Sequence, residues 1–389
     1  MIAQTLTLPG FLAPAIEARP ALTPFIKWPG GKSQELSAIA AAAPPLCGRL
    51  IDPFVGGGSV LLATPVEVPA LANDACRDLI GLYVSAATGD RVFREAVNAL
   101  ATTWQGLASL DDLYTELARA HLARSLEQTA AAITRHSDAL TAAVGPVGSR
   151  DLVTNFLSRV RTEVADKLDR MHRVERKAGH VLETEDLLAN IEGAVRACLY
   201  GRVRARYNAA RRADSWAPTR LADFLFLREF AYAAMFRFNA ADEFNVPYGG
   251  ITYNRKSLAD KAGLLLGGPM LARIANTTFR CVDFEPFLEA AAPTAADFLF
   301  VDPPYDSDFS AYDNRPFGNL DHRRLRDVLE QLPAGVMVVI GDSPATRALY
   351  RADRWHLTEA PKTYSWTIKS RNDRQATHLM ITNYTRPTP

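Results

Sequence analysis

Two textures of hydrophobic patterning alternate along the chain. In residues 25–95, short apolar runs stop abruptly at polar or glycine-rich turns. "RLIDPFVGGGSVLLA" predicts a strand, a glycine turn and a helix start. "VEVPALANDACRDLIGLYVSA" predicts a second strand ending at Asn73-Asp74, followed by a helix. Residues 296–345 return to this style. "ADFLFVDPPYD" and "GVMVVIGDSP" are continuous apolar runs that end in polar loops, the pattern of strands buried on both faces. Residues 90–220 differ: "DDLYTELARAHLARSLEQTAAAITRHSDAL" and "DLVTNFLSRVRTEVADKLDRMHRV" carry helical periodicity, separated by the break "AAVGPVGSRD" at 142–151. This stretch predicts either a coiled hairpin inserted into the α/β part or an ordinary helical subdomain covering the sheet. The chain shows no internal repeat period.

Composition narrows this picture. A chain of 389 residues that is 48% hydrophobic can bury a sizeable core, as two domains or as one with a large insertion. It has no run of about 18 apolar residues, so no membrane span is expected. The opening "MIAQTLTLPGFLAPAIEARP" lacks the basic start and compact apolar core of a signal peptide, and residues 1–20 read as a loosely ordered arm. Cys47, Cys76, Cys198 and Cys281 are far apart without a CxxC pair. That spacing speaks against a zinc site or disulfide framework and fits a reducing cytoplasm. The net charge is only +1, so any nucleic-acid partner has to meet a local patch. "RACLYGRVRARYNAARRADSWAPTR" (196–220) offers one. It holds seven arginines, at 196, 202, 204, 206, 211, 212 and 220, against a single acid, Asp214, with Tyr200, Tyr207 and Trp216 interleaved. Phosphate contact and a solvated helix face are both open readings of such a run.

Two glycine clusters compete as ligand sites. "FIKWPGGKSQ" (25–34) contains Gly-Gly-Lys-Ser, but a P-loop ending at Lys32-Ser33 requires glycine at residue 26, which is Ile26. Trp28 and Pro29 are also wrong for a loop whose amides wrap a phosphate. "DPFVGGG" (52–58) sits at a predicted strand end, where open α/β sheets bind ligands and where glycine lets the backbone come close. Asp74 follows Asp52 by 22 residues, at the end of the next strand, a spacing suited to accepting ribose hydroxyls. The dinucleotide pattern G-x-G-x-x-G is not met, since Gly56, Gly58 and Leu61 stand in its three places. The residues thus point to a nucleoside-containing cofactor without choosing it.

Asp302-Pro303-Pro304-Tyr305 directly follows an apolar strand and is preceded far upstream by the Phe54-x-Gly56-x-Gly58 turn. The order "KWPGGK", "DPFVGGG", "ND", "FRFNAADEFNVPYGG", "RCVDF", "VDPPY", "MITNY" resembles the Dam-type (D12 class) DNA adenine N6-methyltransferases, over about residues 25–95 and 225–385. The resemblance leaves 96–220 unexplained. It implies a Rossmann-like α/β sheet that binds S-adenosyl-L-methionine, a helical DNA-recognition subdomain and an additional helical insertion. The expected layout is a catalytic domain at 21–95 and 270–389, an insertion at 96–220 and a target-recognition region at 221–269. The implied activity is site-specific methylation of adenine N6 in double-stranded DNA. An exocyclic amine is a poor nucleophile because its lone pair is delocalised into the ring. Asp302 and the Pro303 carbonyl, accepting its two N–H groups, would draw the nitrogen towards a tetrahedral state, with Pro304 keeping that carbonyl rigid. Tyr305 offers a ring to stack on an extruded base. No cysteine follows a proline, which disfavours cytosine carbon-5 chemistry.

By position, the resemblance assigns Trp28, Pro29, Gly30, Gly31 and Lys32 to the cofactor, with Asp52, Phe54, Gly56, Gly58 and Asp74. Asp283 and Phe284 of "CVDF" would meet its adenine, and Asp302 lies between cofactor and base. Asp74 and Asp283 are equally suited to capping the helices that follow them. DNA contacts fall to Lys27, Tyr232, Arg237, Asn239, Asn245 and Tyr248, with Arg202, Arg204 and Arg206 on phosphates. Where the family has Tyr-Asn-Gly this chain has Tyr232-Ala233-Ala234, a departure that bears on the target sequence. Competing readings are an idle DNA-binding module of the same fold, an exocyclic cytosine N4 enzyme and an RNA methyltransferase. The expected setting is the cytoplasm and nucleoid of a bacterium, or a phage genome, with the helical insertion free to recruit a protein partner or mediate dimerisation.

Overall fold

The computed structural model describes residues 15–17, 22–44, 48–147, 150–213, 216–304, 317–351, 353–363 and 375–385. Cys47, Asp214 and Tyr305 lie outside this set. Seven strands form one sheet: β1 (Leu50–Asp52), β2 (Ala70–Asn73), β3 (Thr277–Arg280), β4 (Phe298–Val301), β5 (Gly335–Gly341), β6 (His356–Thr363) and β7 (Gln375–Thr382). Their spatial order is β3-β2-β1-β4-β5-β7-β6. β1 pairs in parallel with β2 on one side (Leu50 opposite Ala70) and with β4 on the other (Leu50 opposite Phe298), while β7 runs antiparallel between β5 and β6.

The strand alternation partitions the interior. Phe298 and Phe300 of β4 and Met337 and Val339 of β5 enter the larger core. Leu299 and Val301, with Val336, Val338 and Ile340, enter a second core on the opposite face. With both faces covered, these strands are apolar throughout, which is why the runs were legible. Helices Ser59–Ala63 and Arg77–Ala87 follow β1 and β2, and Phe284–Ala291 and Asn319–Gln331 flank β4.

The long helical stretch is the connection from β2 to β3. Two helices of 29 residues, Arg150–Ala178 and Thr184–Arg212, pack side by side. The second also packs on Pro218–Phe230, which in turn lies on Arg91–Ala108 and Arg77–Ala87. Val97, Trp104, Ile191, Val195 and Phe226 belong to the same core as strand residues Leu50 and Phe298. The helices therefore form a subdomain fused to the sheet. The expected boundaries at 95/96, 220/221 and 269/270 fall inside the helices Arg91–Ala108, Pro218–Phe230 and Gly268–Ala275. Within the expected N-terminal arm, Ala15 and Ile16 are buried and the Glu17 amide donates to the Ala63 carbonyl at 2.7 Å.

Candidate active site and nucleic-acid face

Three adjacent parallel strands end in a carboxylate. β1 ends at Asp52, β2 runs into Asp74 and β4 runs into Asp302. Because β2 and β4 lie on opposite sides of β1, the sheet's strand order reverses there, opening a crevice beyond the strand ends. The glycine turn lines it. Gly56 and Gly58 hold left-handed φ values of 49° and 73°. A Cβ on Gly56 would stand 2.7 Å from Trp28 Cδ1, and one on Gly58 would stand 2.5 Å from the Tyr83 hydroxyl. Trp28 thus lies directly on the turn, which explains why the Trp-Pro-Gly-Gly stretch and the glycine turn belong to one site.

Lys32 is 2% exposed, and its Nζ donates to Asp302 Oδ2 at 2.6 Å and to the Gly30 carbonyl at 2.8 Å. Gly30 takes φ 78°, which turns its carbonyl within this reach. Asp74 uses both oxygens: Oδ2 accepts from the Gly56 amide at 3.0 Å and Oδ1 from the Cys76 amide at 2.8 Å. It therefore fixes the turn that leads into the helix Arg77–Ala87, whose N-cap is Cys76, and at the same time ties the glycine turn to β2. Burial raises its carboxyl to about 6, against the lowering effect of those two amides. Asp52, 2% exposed, accepts from the Phe54 amide at 3.1 Å. Its carboxyl is pushed well above the usual range, first by burial and further by Asp302 and Asp74, with Lys32 opposing. Phe54 meets Phe284 at 5.8 Å and Phe317 at 5.6 Å between ring centroids, forming an aromatic wall. Asp283 caps Phe284–Ala291 through the Glu285 amide at 3.0 Å and receives Arg324 at 2.9 Å. Pro303 is buried and Pro304 half-buried beside Asp302.

The predicted DNA-contacting residues split into exposed and engaged groups. Lys27, 40% exposed, pairs with Glu229 at 3.4 Å. Tyr232 is 45% exposed. Arg237 is exposed, and its Nε donates to Asn245 Oδ1 at 3.2 Å across a short two-stranded ribbon in which Phe238 faces Phe244. Asn239 shapes the ribbon's tip, where its Oδ1 accepts from the amides of Ala241 and Glu243. Tyr248 turns inward, with its hydroxyl on Asn254 at 2.7 Å.

The arginine run is largely met inside the protein. Arg206 grips Asp223, itself 1% exposed, with both ends of its fork. Arg204 donates to the Val246 carbonyl at 3.2 Å, and Arg202 is half-buried. Arg220 meets buried Asp78 at 2.6 Å, and Arg196 meets Glu192 at 2.6 Å. Arg211 and Arg212 hold Asp242 and Glu243 at the ribbon's tip. Counting charge within the window missed these acids because all of them lie outside 196–220.

Sequence reasoning also missed Arg228. It is 1% exposed and donates to the carbonyls of Lys27, Ala234 and Met235, with its guanidinium 5.4 Å from the Trp28 ring centroid. It joins the stretch at Lys27-Trp28 to the turn at Ala234-Met235. A lone charge inside the apolar run "DFLFLREF" was its signal. Asn73, whose Nδ2 donates to the Pro53 and Val282 carbonyls, braces the ends of β1, β2 and β3 and was likewise not singled out as a site residue.

An open sheet with a nucleoside-type crevice at its switch point and Asp-Pro-Pro at a strand end is a Rossmann-like methyltransferase architecture. The family description "D12 class N6 adenine-specific DNA methyltransferase" matches residues 28–144 and 175–364. The chain belongs to that family. The match extends through most of 96–220 and leaves 145–174 outside. Among relatives, the type II methyltransferase M1.LlaDCHI of Lactococcus lactis subsp. cremoris is 24% identical over 93% of this chain and 96% of its own length. The type II methyltransferase M.MjaIII of Methanocaldococcus jannaschii is 29% identical over 79% and 80%. The type II methyltransferase M.CviBI of Paramecium bursaria Chlorella virus NC1A is 30% identical over 44% and 65%. This chain is thus a DNA adenine N6-methyltransferase. Among the described residues, no helix is long and apolar enough to cross a membrane.

Proposed function

We propose that the chain methylates N6 of an adenine extruded from double-stranded DNA, taking the methyl group from S-adenosyl-L-methionine in the crevice beyond β1, β2 and β4. The observation that carries this reading is the charge of the crevice. Asp52, Asp74 and Asp302 converge there against Lys32, and Asp52 is held uneasily by its own neighbours. A site with that surplus favours a ligand bearing positive charge. S-adenosyl-L-methionine brings a sulfonium with a transferable methyl group and an α-ammonium.

Asp74 retains acceptor capacity on both oxygens for ribose hydroxyls, since each carboxylate oxygen has two lone pairs. Phe54, Phe284 and Phe317 form a wall against which an adenine ring can stack. Asp302 accepts from the target amine, and Lys32 orients that carboxylate through a charge-assisted bond. The Pro303 carbonyl takes the second N–H of the amine and Tyr305 stacks on the base, as the resemblance implies. Lys27, Tyr232, Arg237 and Asn245 form the DNA-reading group. Arg206 is left out of it, because its guanidinium is committed to Asp223. In this reading the chain acts in the cytoplasm, on nucleoid or phage DNA.

The test is expression in cells lacking adenine methylation, followed by single-molecule sequencing. N6-methyladenine at one short recurrent sequence is expected. N4-methylcytosine, or no modification from soluble protein, would overturn the reading.

A further inference from the structure

A second constellation of chemistry-bearing side chains lies in the helical subdomain, outside the crevice residues. His121 stands on the last turn of the helix Asp111–Leu122. His172 and Glu175 stand three residues apart on Arg150–Ala178, a spacing that puts both on one face of that helix. One ligand-type atom from each of the three side chains lies within 4.8 Å of the other two. His121 is 1% exposed and Glu175 is 5% exposed. The two imidazoles lie parallel, with centroids 3.9 Å apart and planes 11° from each other. Imidazole ligates a metal ion as the neutral ring, through a lone pair in the ring plane.

The hydrogen bonds agree with that use. His172 Nε2 lies 3.0 Å from the His121 carbonyl, a partner only an N–H can serve, so its Nδ1 keeps the lone pair. Metal-ligating histidines are commonly oriented in this way, by donating the other ring N–H to a backbone carbonyl. Glu175 Oε1 is steadied by the Leu182 amide at 3.1 Å and lies 3.0 Å from His121 Nε2. His121 Nδ1 is buried and makes no hydrogen bond. Leaving a buried ring nitrogen unsatisfied is costly, and a ligand that draws on it would recover that cost.

We propose that His121, His172 and Glu175 bind one divalent transition-metal ion of the zinc class, with water completing a four-coordinate sphere. Two nitrogens and one carboxylate suit zinc or cobalt and do not suit calcium or magnesium, which take oxygen ligands. Bonds of about 2.0–2.1 Å place tetrahedral donors roughly 3.3 Å apart. Since no pair is wider than 4.8 Å, none has to close by more than about 1.5 Å on binding, within the reach of side-chain rotation. The ion would staple Asp111–Leu122 to the C-terminal end of Arg150–Ala178. His172 lies in the 145–174 stretch that the family match leaves out, so the site is additional to the shared methylation machinery.

The test uses the full chain, stripped with chelator and titrated with Co²⁺ and Zn²⁺. The parent should take up one ion per chain and show the visible absorption of tetrahedral Co²⁺, and Zn²⁺ should raise its thermal midpoint. His172→Asn and Glu175→Gln should each weaken binding by at least about tenfold and abolish the Zn²⁺-dependent shift. These two variants are preferred to His121 variants because His172 is only half-buried and glutamine preserves the shape of Glu175. Uptake with unchanged affinity in both variants, or no stoichiometric uptake by folded parent at micromolar ion, would overturn the proposal.

Discussion

Asp302→Asn removes the negative charge at the centre of the proposed reaction while keeping the shape of the side chain. In the proposed reaction Asp302 is the acceptor that meets the target amine as positive charge develops on its nitrogen. Losing one such preorganised partner costs about 2.7–4 kcal/mol of transition-state stabilisation, or a hundred- to thousandfold in kcat. The stability effect is smaller. Breaking a fully buried ion pair costs about 3–5 kcal/mol. Here the Asp302 side chain is 19% exposed, Lys32 keeps the Gly30 carbonyl at 2.8 Å, and Asp52 still faces its charge. A loss of about 1–2 kcal/mol is therefore expected. Cofactor affinity should change less than tenfold, because Asp52 and Asp74 remain. Tritiated-methyl incorporation at saturating DNA and cofactor measures the first quantity. Calorimetric titration with S-adenosyl-L-homocysteine and thermal unfolding measure the others. A folded Asp302→Asn protein with kcat within about threefold of the parent would refute the role given to this carboxylate.

Three further outcomes follow from the site. Ala234 holds φ 52°, a left-handed conformation that costs an L-residue roughly 1–2 kcal/mol. Ala234→Gly should relieve this, less about 0.4–1 kcal/mol of added unfolded-chain entropy, for a net gain of about 0.5–1 kcal/mol by calorimetry; a lowered melting point would contradict it. Gly56→Ala places a methyl 2.7 Å from Trp28 Cδ1 at φ 49°, so a loss of about 1–3 kcal/mol and at least tenfold weaker cofactor binding are expected. Asp74 gives opposite pH trends for binding and stability. Its carboxyl is raised to about 6, so acidification below that value protonates it and weakens cofactor binding by up to tenfold per pH unit. Because the folded state binds this proton more tightly than the unfolded chain, the stability it contributes is present in acid and lost as pH rises through about 6. Cofactor affinity that stays flat between pH 5 and 7 would remove Asp74 from the binding role.

How far the sequence revealed this molecule depended on whether a residue's partner was local. Asp52, Asp74 and Asp302 were legible because each sits where a doubly buried apolar run stops, and that stop marks a strand's carboxyl end. β3 was harder to see: only Phe279 in it is buried, so this edge strand carries no apolar run. The arginines of 196–220 were legible as charge but not as partners, since Asp78 and Asp223 reach them from other helices. His121 and His172 are 51 residues apart, and only the packing of two helices sets their rings face to face. The Tyr232-Ala233-Ala234 departure is where structure changes the inference most. Alanines where the family has Asn-Gly would ordinarily signal a different chain path, because only residues tolerant of positive φ sit there cheaply. Yet Ala233 and Ala234 hold φ 53° and 52°. Arg228 secures this path by binding the carbonyls of Ala234 and Met235 from below while also holding Lys27. The turn therefore takes a left-handed course in this chain without an asparagine or glycine, and the asparagine side chain is absent from it. A change in target preference is then to be sought in the amide that is missing beside Tyr232, with Lys27 and Arg237 still presented.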